Sequence, residues 1–505
     1  MPTSPGIEAE FLALPLSKLA SVALQRARDF NAEHADFRVE RIAHQRLALR
    51  DGKLVDSSIG DDIGFAVRVI IDGCWGFASG VALTTDEVVR VAEQAVRVAL
   101  VAKPLTTERI ELASEPAYKD TTWISAYDID PFDVSTSDKA ELLAQWSHGL
   151  LAAPVVDHVS AVAHQVRENK FYADSHGTST TQQRVRINPQ LEIFGADHQR
   201  GLLDGMRTIA PPVGRGWEYL TDGRYDWATE LAQLPDQLAE KLAAPSVEAG
   251  RYDLVIDPSN LWLTIHESIG HATELDRALG YEANYAGTSF ATLDKLGSLQ
   301  YGSRHLNITG DRTVEHGLST IGYDDDGVAT QRWDIVKDGI LVGYQTDRRM
   351  AAMMGWDRST GCAFADSPGH VPIQRMANVS LAASPDEVST DDLVSQVDRG
   401  ILIVGDKSWS IDMQRFNFQF TGQRFYAIEN GAVTHPLRDV AYQATTTDFW
   451  GSMDAVGGAD TWVLGGAFNC GKAQPGQVAP VSHGCPAALF RDISVLNTTH
   501  EAGKS

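Results

Sequence analysis

Hydrophobic positions in the N-terminal part of the chain follow two periods, and together they predict an α+β unit. Apolar residues recur at helical spacing over residues 16–31 and again after a capping box at Thr84, as in amphipathic helices. Over residues 36–50 and 63–71 they alternate with polar residues, as in strands with one buried face. The Asp51-Gly52 pair supplies a turn after the first of these strands.

The middle of the chain combines the same two periods. We expect a helix over residues 137–150, several strands over 155–194, and a helix over 226–242. Pro235 should interrupt the last helix, because proline has no N–H and clashes with the preceding turn. The turn composition of Ala244-Pro245-Ser246 then marks a boundary.

Beyond this boundary the pattern favours strands. Residues 252–256 predict a short strand, and an Asp-Pro-Ser-Asn turn leads into a helix over 261–279. Short strands separated by Asp-Gly and Asn-Gly turns follow to about residue 495. The predicted fold class is α+β, with an N-terminal α/β region of mixed sheet and helices before a β-rich C-terminal domain. We divide the chain into an N-terminal α+β domain (1–124), a middle α/β region (125–246) and the C-terminal domain (247–505).

Composition and charge narrow the class of protein. A chain of 505 residues with 43% hydrophobic and 22% charged residues is typical of a multidomain globular protein. The net charge of -24 argues against direct binding to nucleic acid. We find neither a secretion signal nor an apolar run near the ~20 residues that span a bilayer, so we expect a cytoplasmic location without membrane attachment. Four scattered cysteines do not suggest a disulfide framework.

The helix predicted over 261–279 contains His266-Glu267-Ser268-Ile269-Gly270-His271, which combines two imidazoles with a carboxylate, as hydrolytic zinc sites do. The histidines of the H-E-x-x-H motif share one face of a regular helix. Here the spacing is one residue longer, which separates the side chains by roughly 140° around an ideal helix. Either the motif is accidental or the helix is distorted, and a π-bulge at Gly270 would realign the histidines.

Two further features accompany the motif. Glu274 follows His271 by one helical turn, and Cys470 lies in the glycine-rich segment Gly465-Gly466-Ala467-Phe468-Asn469-Cys470-Gly471-Lys472. Flanking glycines allow the backbone to approach a neighbouring group closely. Glu274 is either a hydrogen-bond acceptor for a histidine or itself a metal ligand.

With these motifs the chain resembles the TldD/PmbA metallopeptidases, in their TldD-type, metal-bearing branch. The resemblance covers nearly the whole chain and is strongest from residue 251 onward. Besides the His-Glu helix and Cys470-Gly471-Lys472, the segments that carry it are Leu49-Arg50-Asp51-Gly52, Gly64-Phe65-Ala66-Val67-Arg68, Tyr323-Asp324-Asp325-Asp326-Gly327, Asp338-Gly339, Gly343-Tyr344, Arg375-Met376-Ala377-Asn378 and Ile428-Glu429-Asn430-Gly431.

The resemblance implies one Zn²⁺ in each subunit, bound by His266, His271 and Cys470. It also implies that Glu267 is the base that activates a zinc-bound water. The family pattern favours Glu274 as the partner of a histidine rather than as a ligand.

Three neighbouring residues receive weaker assignments. Lys472 and His483 are expected to line the cleft. Cys485 is a rival thiol, which we interpret as a small buried residue beside a turn.

For partners, the resemblance implies a dimer that encloses a chamber for unfolded or modified peptides. The second subunit would be a PmbA/TldE-like chain, or a second copy of this one. The run from Lys407 to Asp412 departs from the family pattern, because Trp409 stands where a glycine-rich segment is common. A tryptophan there would narrow the cleft and change the accepted substrate size.

Three classes of function stay open at this stage. The first is the zinc peptidase. The second is a non-catalytic regulatory protein of the topoisomerase-modulator type, whose metal is structural and would not need Glu267. The third is a cysteine hydrolase in which Cys470 acts with a histidine; it does not account for Glu267 beside His266.

Overall fold

The computed structural model describes residues 5–501, and its first large sheet is built from residues 34–207. Its strands are β1 (His34–Arg50), β2 (Lys53–Ile71), β3 (Cys74–Gly80), β4 (Thr121–Ile124), β5 (His158–Asp174), β6 (Ser179–Asp197) and β7 (Leu202–Arg207). The order is β3-β2-β1-β5-β6-β4, with β7 paired to β6. Every pairing is antiparallel except that of β4 with β6.

Helices cover this sheet in two groups. Leu16–Asp29 and Thr85–Ala102 share a core with β1, β2 and β3, including Phe37, Phe65 and Val91. Thr136–Leu151 and Trp227–Ala243 share a second core with β5 and β6. The shorter α-helices of the chain are Ala9–Leu12, Glu218–Thr221, Pro258–Ile265, Leu275–Ala278, Arg348–Met353, Thr390–Val394, Thr446–Gly451 and Thr498–Glu501.

The α+β fold class is confirmed, but two predicted details are wrong. The second strand begins directly after the Asp51-Gly52 turn at Lys53, so β1 and β2 form a long hairpin. Residues 53–62 lack the alternation of a half-buried strand because nearly all of them are exposed. Backbone pairing with β1 and the ion pairs Arg41–Asp61 and Arg46–Asp56 hold them. Pro235 does not interrupt its helix, because Leu234, Leu238 and Leu242 anchor both sides of it in the core.

The C-terminal part is rich in strands, as predicted. They are β8 (Gly250–Ile256), β9 (Ile308–Asp311), β10 (Arg332–Lys337), β11 (Ile340–Leu341), β12 (Ala363–Phe364), β13 (Ile373–Gln374), β14 (Asn378–Leu381), β15 (Arg399–Ile411), β16 (Asn417–Glu429), β17 (Ala432–Leu437), β18 (Val440–Thr445), β19 (Met453–Val456), β20 (Val463–Lys472), β21 (Gln477–Cys485) and β22 (Ala488–Asn497). The Asp338-Gly339 and Asn430-Gly431 turns have positive φ at both residues, as tight hairpins require.

The second large sheet has the order β15-β8-β22-β18-β16-β17, with β19 paired to β22. Because β15 also pairs with β16, five of these strands close into a ring. The helix that follows β8 packs into the largest core of the chain, together with Phe418, Tyr442 and Trp450. This sheet therefore provides the support on which the His-Glu motif is built.

The two N-terminal segments of the predicted division share one sheet, because β1 pairs with β5 along most of its length. The division of the chain into three domains stays a prediction. Within residues 5–501, none of the helices is both long and apolar enough to cross a membrane.

Candidate metal centre

The helix with the His-Glu motif is regular only in its first half. The Asp257 side chain caps it by accepting a hydrogen bond from the Ser259 N–H, and Pro258 occupies the first turn. The α-helix ends at Ile265, a π-helical turn spans His266–Gly270, and a 3₁₀ turn spans His271–Thr273. The predicted distortion near Gly270 is confirmed. The predicted continuous helix to residue 279 is wrong, because Glu274 takes an extended conformation with a ψ of 115° and pairs with Gln345 before Leu275–Ala278.

Buried partners stabilise the bulge. The Tyr301 hydroxyl donates to the Ser268 carbonyl at 2.5 Å, and the Gln345 amide donates to the Gly270 carbonyl at 2.7 Å. These bonds satisfy carbonyls at the irregular turn, whose burial without partners would be costly. A Cβ at Gly270 would lie 2.5 Å from the Met376 sulfur, so any larger residue there would displace the Met376 side chain.

The bulge brings three potential ligands together. One donor atom each from His266, His271 and Cys470 lies within 4.8 Å of the other two, and all three residues are buried. The Cys470 sulfur is 3.5 Å from His271 Nε2. Tetrahedral zinc with Zn–N of about 2.0 Å and Zn–S of about 2.3 Å requires this separation, roughly 3.5 Å. The donor set and its spacing therefore fit a zinc ion.

Cys470 reaches this position through a bulge in β20. The register of β20 with β21 shifts between Ala467 and Cys470, which adds one residue to β20. After the shift, the side chains of Cys470 and Lys472 lie on the same face of the strand and contact the motif segment. The Arg375 guanidinium donates to the Cys470 carbonyl and, at 3.0 Å, to that of Gln477.

Hydrogen bonds assign the tautomers of both histidines. His483 Nδ1 lies 2.9 Å from the Val379 carbonyl, which can only accept, so this nitrogen carries the proton. His483 Nε2 then accepts from His266 Nδ1 at 2.7 Å. Similarly, His271 Nδ1 donates to Glu274 at 2.8 Å. Each histidine of the motif thus keeps the lone pair on Nε2, as a metal ligand requires.

The ionisation of these groups agrees with metal binding. Burial lowers the pKa of His266, of His271 and, still further, of His483, which favours the neutral imidazoles. Burial opposes ionisation of Cys470, but attraction to His271 in its protonated form, with a smaller effect of Arg375, outweighs burial and lowers the pKa of this thiol. Neutral imidazoles and a thiolate are the protonation states that bind zinc.

Glu274 stands at the centre of a buried charge network. Its carboxylate accepts from His271, from Arg277 at 3.2 Å and from Lys472 at 3.1 Å. Although burial opposes it, Lys472 together with His271 holds the pKa of Glu274 well below its usual range. Lys472 also pairs with Asp276 at 2.8 Å. The carboxylate therefore contacts His271 on the nitrogen opposite to the Nε2 that faces Cys470.

An open cleft of about 470 Å³ exposes the candidate ligands. Glu267 lies on its wall, where Arg415 donates to Glu267 Oε2 at 2.7 Å. Trp409 also lines the cleft and is half exposed. The N-terminal part of the chain also lines the cleft, with three residues of β6, the last residue of β7 and the segment that follows it, namely Asn188, Pro189, Gln190, Arg207, Thr208, Ile209, Ala210, Pro211 and Pro212. Lys472 and His483 lie behind the ligands rather than on this wall.

Several residues of the centre have no signature in the sequence. Arg415 stands 148 positions from Glu267, and Gln345 stands 75 positions from Gly270. The spacing of Arg415 and Gln345 along the sequence does not predict that either residue contacts the motif. The sequence singles out Arg375 only as part of the segment Arg375-Met376-Ala377-Asn378.

Comparison with known proteins identifies the family. A model of the PmbA/TldA metallopeptidase C-terminal domain matches residues 249–497, and a model of domain 1 of the same family matches residues 35–99. The chain belongs to the PmbA/TldD metallopeptidase family. A metalloprotease of Methanothermobacter thermautotrophicus is 28% identical over 92% of this chain and 96% of its own length. A zinc metalloprotease TldD homolog of Saccharolobus solfataricus is 24% identical over 94% of this chain and 98% of its own.

Two solved structures are similar to this chain over nearly its whole length. TldE of Thermococcus kodakarensis superimposes with a TM-score of 0.71 at 16% identity, over 94% of this chain and 99% of its own. A Thermotoga maritima protein described as a candidate modulator of a DNA gyrase gives a TM-score of 0.75 at 16% identity, over 95% and 100%. At this identity the likeness establishes the fold and no more.

Proposed function

We propose that this PmbA/TldD family member is a zinc-dependent peptidase that hydrolyses unfolded, modified or small peptides. The observation that carries the proposal is the convergence of His266, His271 and Cys470 beside Glu267 in an open cleft. The zinc metalloprotease name of a full-length relative supports the same reaction class. The described residues contain one group of three such donors, so we propose one zinc ion in each subunit.

Each residue of the centre has a role in this proposal. His266, His271 and Cys470 hold the zinc, which when bound would polarise the scissile carbonyl and acidify a water. Glu267 takes a proton from the attacking water and delivers it to the leaving amine. Glu274 and His483 hold the two imidazoles in the ligating tautomer, and Lys472 holds Glu274.

We further propose that peptides bind by adding a strand to the edge of β20. Among the described strands, β20 pairs with β21 alone, and its residues from Val463 to Gly471 line the cleft. Backbone hydrogen bonds along a strand edge bind peptides with little regard to sequence and require an extended substrate. Trp409 beside this edge would then limit the size of the peptide side chains.

The peptidase is proposed to work as a dimer that encloses its cleft. The likeness in fold to TldE of Thermococcus kodakarensis is consistent with a PmbA/TldE-like partner, and a second copy of this chain is the alternative. Co-purification of the tagged protein with a co-expressed homologue would distinguish a heterodimer from a homodimer. A partner that neither co-purifies nor changes peptide turnover would count against the heterodimer.

One observation favours a second candidate, a cysteine hydrolase. Cys470 lies 3.5 Å from His271, and its lowered pKa is what a nucleophilic thiol needs. A Cys-His nucleophile would not, however, require Glu267 on the same wall. Chelation with zinc rescue supports the peptidase, whereas turnover by metal-free protein that a thiol alkylator abolishes would support the hydrolase.

The decisive experiment compares the parent with Glu267→Gln and, as a matched control, Glu429→Gln on the exposed end of β16. We expect Glu267→Gln to keep its zinc and to lose at least about 100-fold in peptide turnover, as expected for loss of a general base. Glu429→Gln should match the parent in both. Full activity of Glu267→Gln would refute the proposed mechanism.

A further inference from the structure

Arg415 is the cationic partner of the carboxylate that the proposed reaction uses. It lies in the turn between β15 and β16, and its guanidinium donates to Glu267 Oε2 at 2.7 Å and to the Ala286 carbonyl at 3.1 Å. Both side chains are largely buried, with exposed fractions of 13% for Arg415 and 7% for Glu267. A carboxylate buried to this degree is costly without a partner, so the pair compensates both charges.

The turn that carries Arg415 is braced. The Asp412 side chain accepts from the backbone N–H groups of Gln414, Phe416 and Asn417. Arg415 itself has a φ of 63°, and its carbonyl accepts from the Thr446 hydroxyl at 2.8 Å. A backbone constrained on both sides aims the guanidinium before any substrate binds.

A second contact joins this turn to the segment after the motif helix. The Thr288 N–H donates to the Met413 carbonyl at 2.7 Å, and the Phe290 N–H donates to the Gln414 carbonyl at 2.9 Å. Ser289 in turn donates to the Ala272 carbonyl at 2.6 Å. The chain that holds Arg415 is thus connected to the segment that holds His271, which keeps the two groups at a constant separation.

The orientation of the pair has a consequence for proton transfer. Arg415 engages Oε2 of Glu267, and in the part of the chain described no hydrogen bond to Oε1 is present. A carboxylate with one oxygen held by a guanidinium offers the other as the proton acceptor and cannot rotate freely. Preorganisation of this kind is how a base keeps its reactive geometry.

We infer that Arg415 is a positioning residue for Glu267, which restrains the carboxylate so that Oε1 receives the proton of the attacking water. The inference rests on the proposed peptidase function and adds a residue to it. Arg415 acts through Glu267, so its effect should appear in the chemical step and should vanish when Glu267 can no longer act as a base.

The test compares the parent with Arg415→Met, Arg415→Lys and the double variant Arg415→Met/Glu267→Gln. Arg399→Ala, which removes an exposed arginine at the other end of β15, is the control. Zinc content, kcat and KM on an unfolded peptide are measured for each. We expect Arg415→Met to lose about 10- to 100-fold in kcat, with KM and zinc content close to the parent.

Two readouts separate positioning from a merely structural role. The double variant should be no slower than Glu267→Gln alone, because residues that act as a unit are not additive. Added methylguanidine should restore part of the kcat of Arg415→Met, and Arg415→Lys should retain more activity than Arg415→Met. A misfolded variant would show neither behaviour.

The inference is overturned if Arg415→Met keeps the parental kcat, if its loss falls on KM or zinc content, or if its effect multiplies with that of Glu267→Gln. These outcomes leave the peptidase function standing. Full activity of Glu267→Gln, in contrast, would remove the proposed function itself.

Discussion

The β20–β21 hairpin carries a buried cysteine near each end, and the two surroundings differ. Cys470 pairs in register with Ala479, whereas Cys485 pairs with Val463 at the opposite end. Cys470 lies beside His271. The pKa of Cys470 is lowered by this neighbour, although burial would raise it. Within the described residues, the one hydrogen bond of the Cys485 thiol goes to the Pro258 carbonyl at 3.7 Å, and burial raises the pKa of this thiol far above the usual value.

The two cysteines separate the effect of burial on a thiol pKa from the effect of neighbouring charges, which the sequence around each cysteine does not distinguish. Both thiols belong to the same core, so burial alone does not decide which one ionises. Positive charge on His271 and Arg375 lowers the pKa of Cys470, as in other low-pKa cysteines, whereas Asp257 adds to the effect of burial at Cys485. We therefore treat the Cys470 end as the functional one and the Cys485 end as packing.

The largest expected difference is in metal binding. Cys470→Ala removes one of the three donors and should weaken zinc affinity by more than about 100-fold, beyond the effect of losing an outer partner. Cys485→Ala should retain zinc and peptide turnover. Competition with a chromophoric chelator measures both affinities, and a Cys485→Ala protein that loses zinc would invalidate the comparison.

A smaller effect is expected when the support behind the ligands is removed. His483→Gln loses the acceptor that holds His266 in its ligating tautomer, and zinc affinity should fall about 10- to 100-fold. The exposed His435→Gln is the matched control and should bind zinc like the parent. Equal affinities in the two variants would show that the tautomer does not depend on His483.

The free energy of unfolding should depend on pH in opposite directions through the groups around Cys470 and through Cys485. His266, His271 and Cys470 have lowered pKa values in the fold, so their contribution is present above their unfolded-state pKa and is lost as pH falls. Cys485 has a raised pKa, so its contribution is present below the unfolded-state pKa of about 8.5 and is lost as pH rises.

Urea unfolding of the metal-free protein at about pH 5.5, 7.5 and 9.5 tests this prediction, because the unfolded-state pKa values of histidine and cysteine lie between these points. The free energy of unfolding should fall between about pH 7.5 and 5.5, whereas between about pH 7.5 and 9.5 the loss from Cys485 opposes the gain from Cys470. Cys485→Ala should therefore gain stability relative to the parent over the alkaline interval and leave the acid decline unchanged. A parental profile in that variant would exclude Cys485 as the cause.

The smallest expected effect is the packing contribution of Cys485 itself. Removing a buried sulfur from a well-packed core leaves a small cavity, so Cys485→Ala should lower the free energy of unfolding at neutral pH by about 1 kcal/mol. Denaturant titration of the zinc-loaded protein measures it. A loss of several kcal/mol would indicate that Cys485 has a role beyond packing.

Much of the local structure could be predicted from the sequence, and the reasons are local. The helix after Thr84 begins where a side chain caps it, and the Asp51-Gly52 turn adopts positive φ at both residues. The bulge near Gly270 followed from the need to align two histidines five residues apart. The uninterrupted helix through Pro235 could not be predicted, because core contacts outweigh the local cost of proline.

The sequence by itself determined most of the elements and the donor types, since these depend on near neighbours along the chain. It also predicted the irregular turn, although the Tyr301 and Gln345 side chains that stabilise this turn come from distant positions. The family resemblance pointed to Cys470 rather than Cys485 and to Glu274 as the partner of a histidine, but only the tertiary structure brings these groups into contact and pairs Arg415 with Glu267. His271 and Cys470 are 199 positions apart, and their meeting depends on a one-residue bulge in β20. Such contacts depend on how the sheets pack, so the hydrophobic periodicity of a single segment cannot predict them.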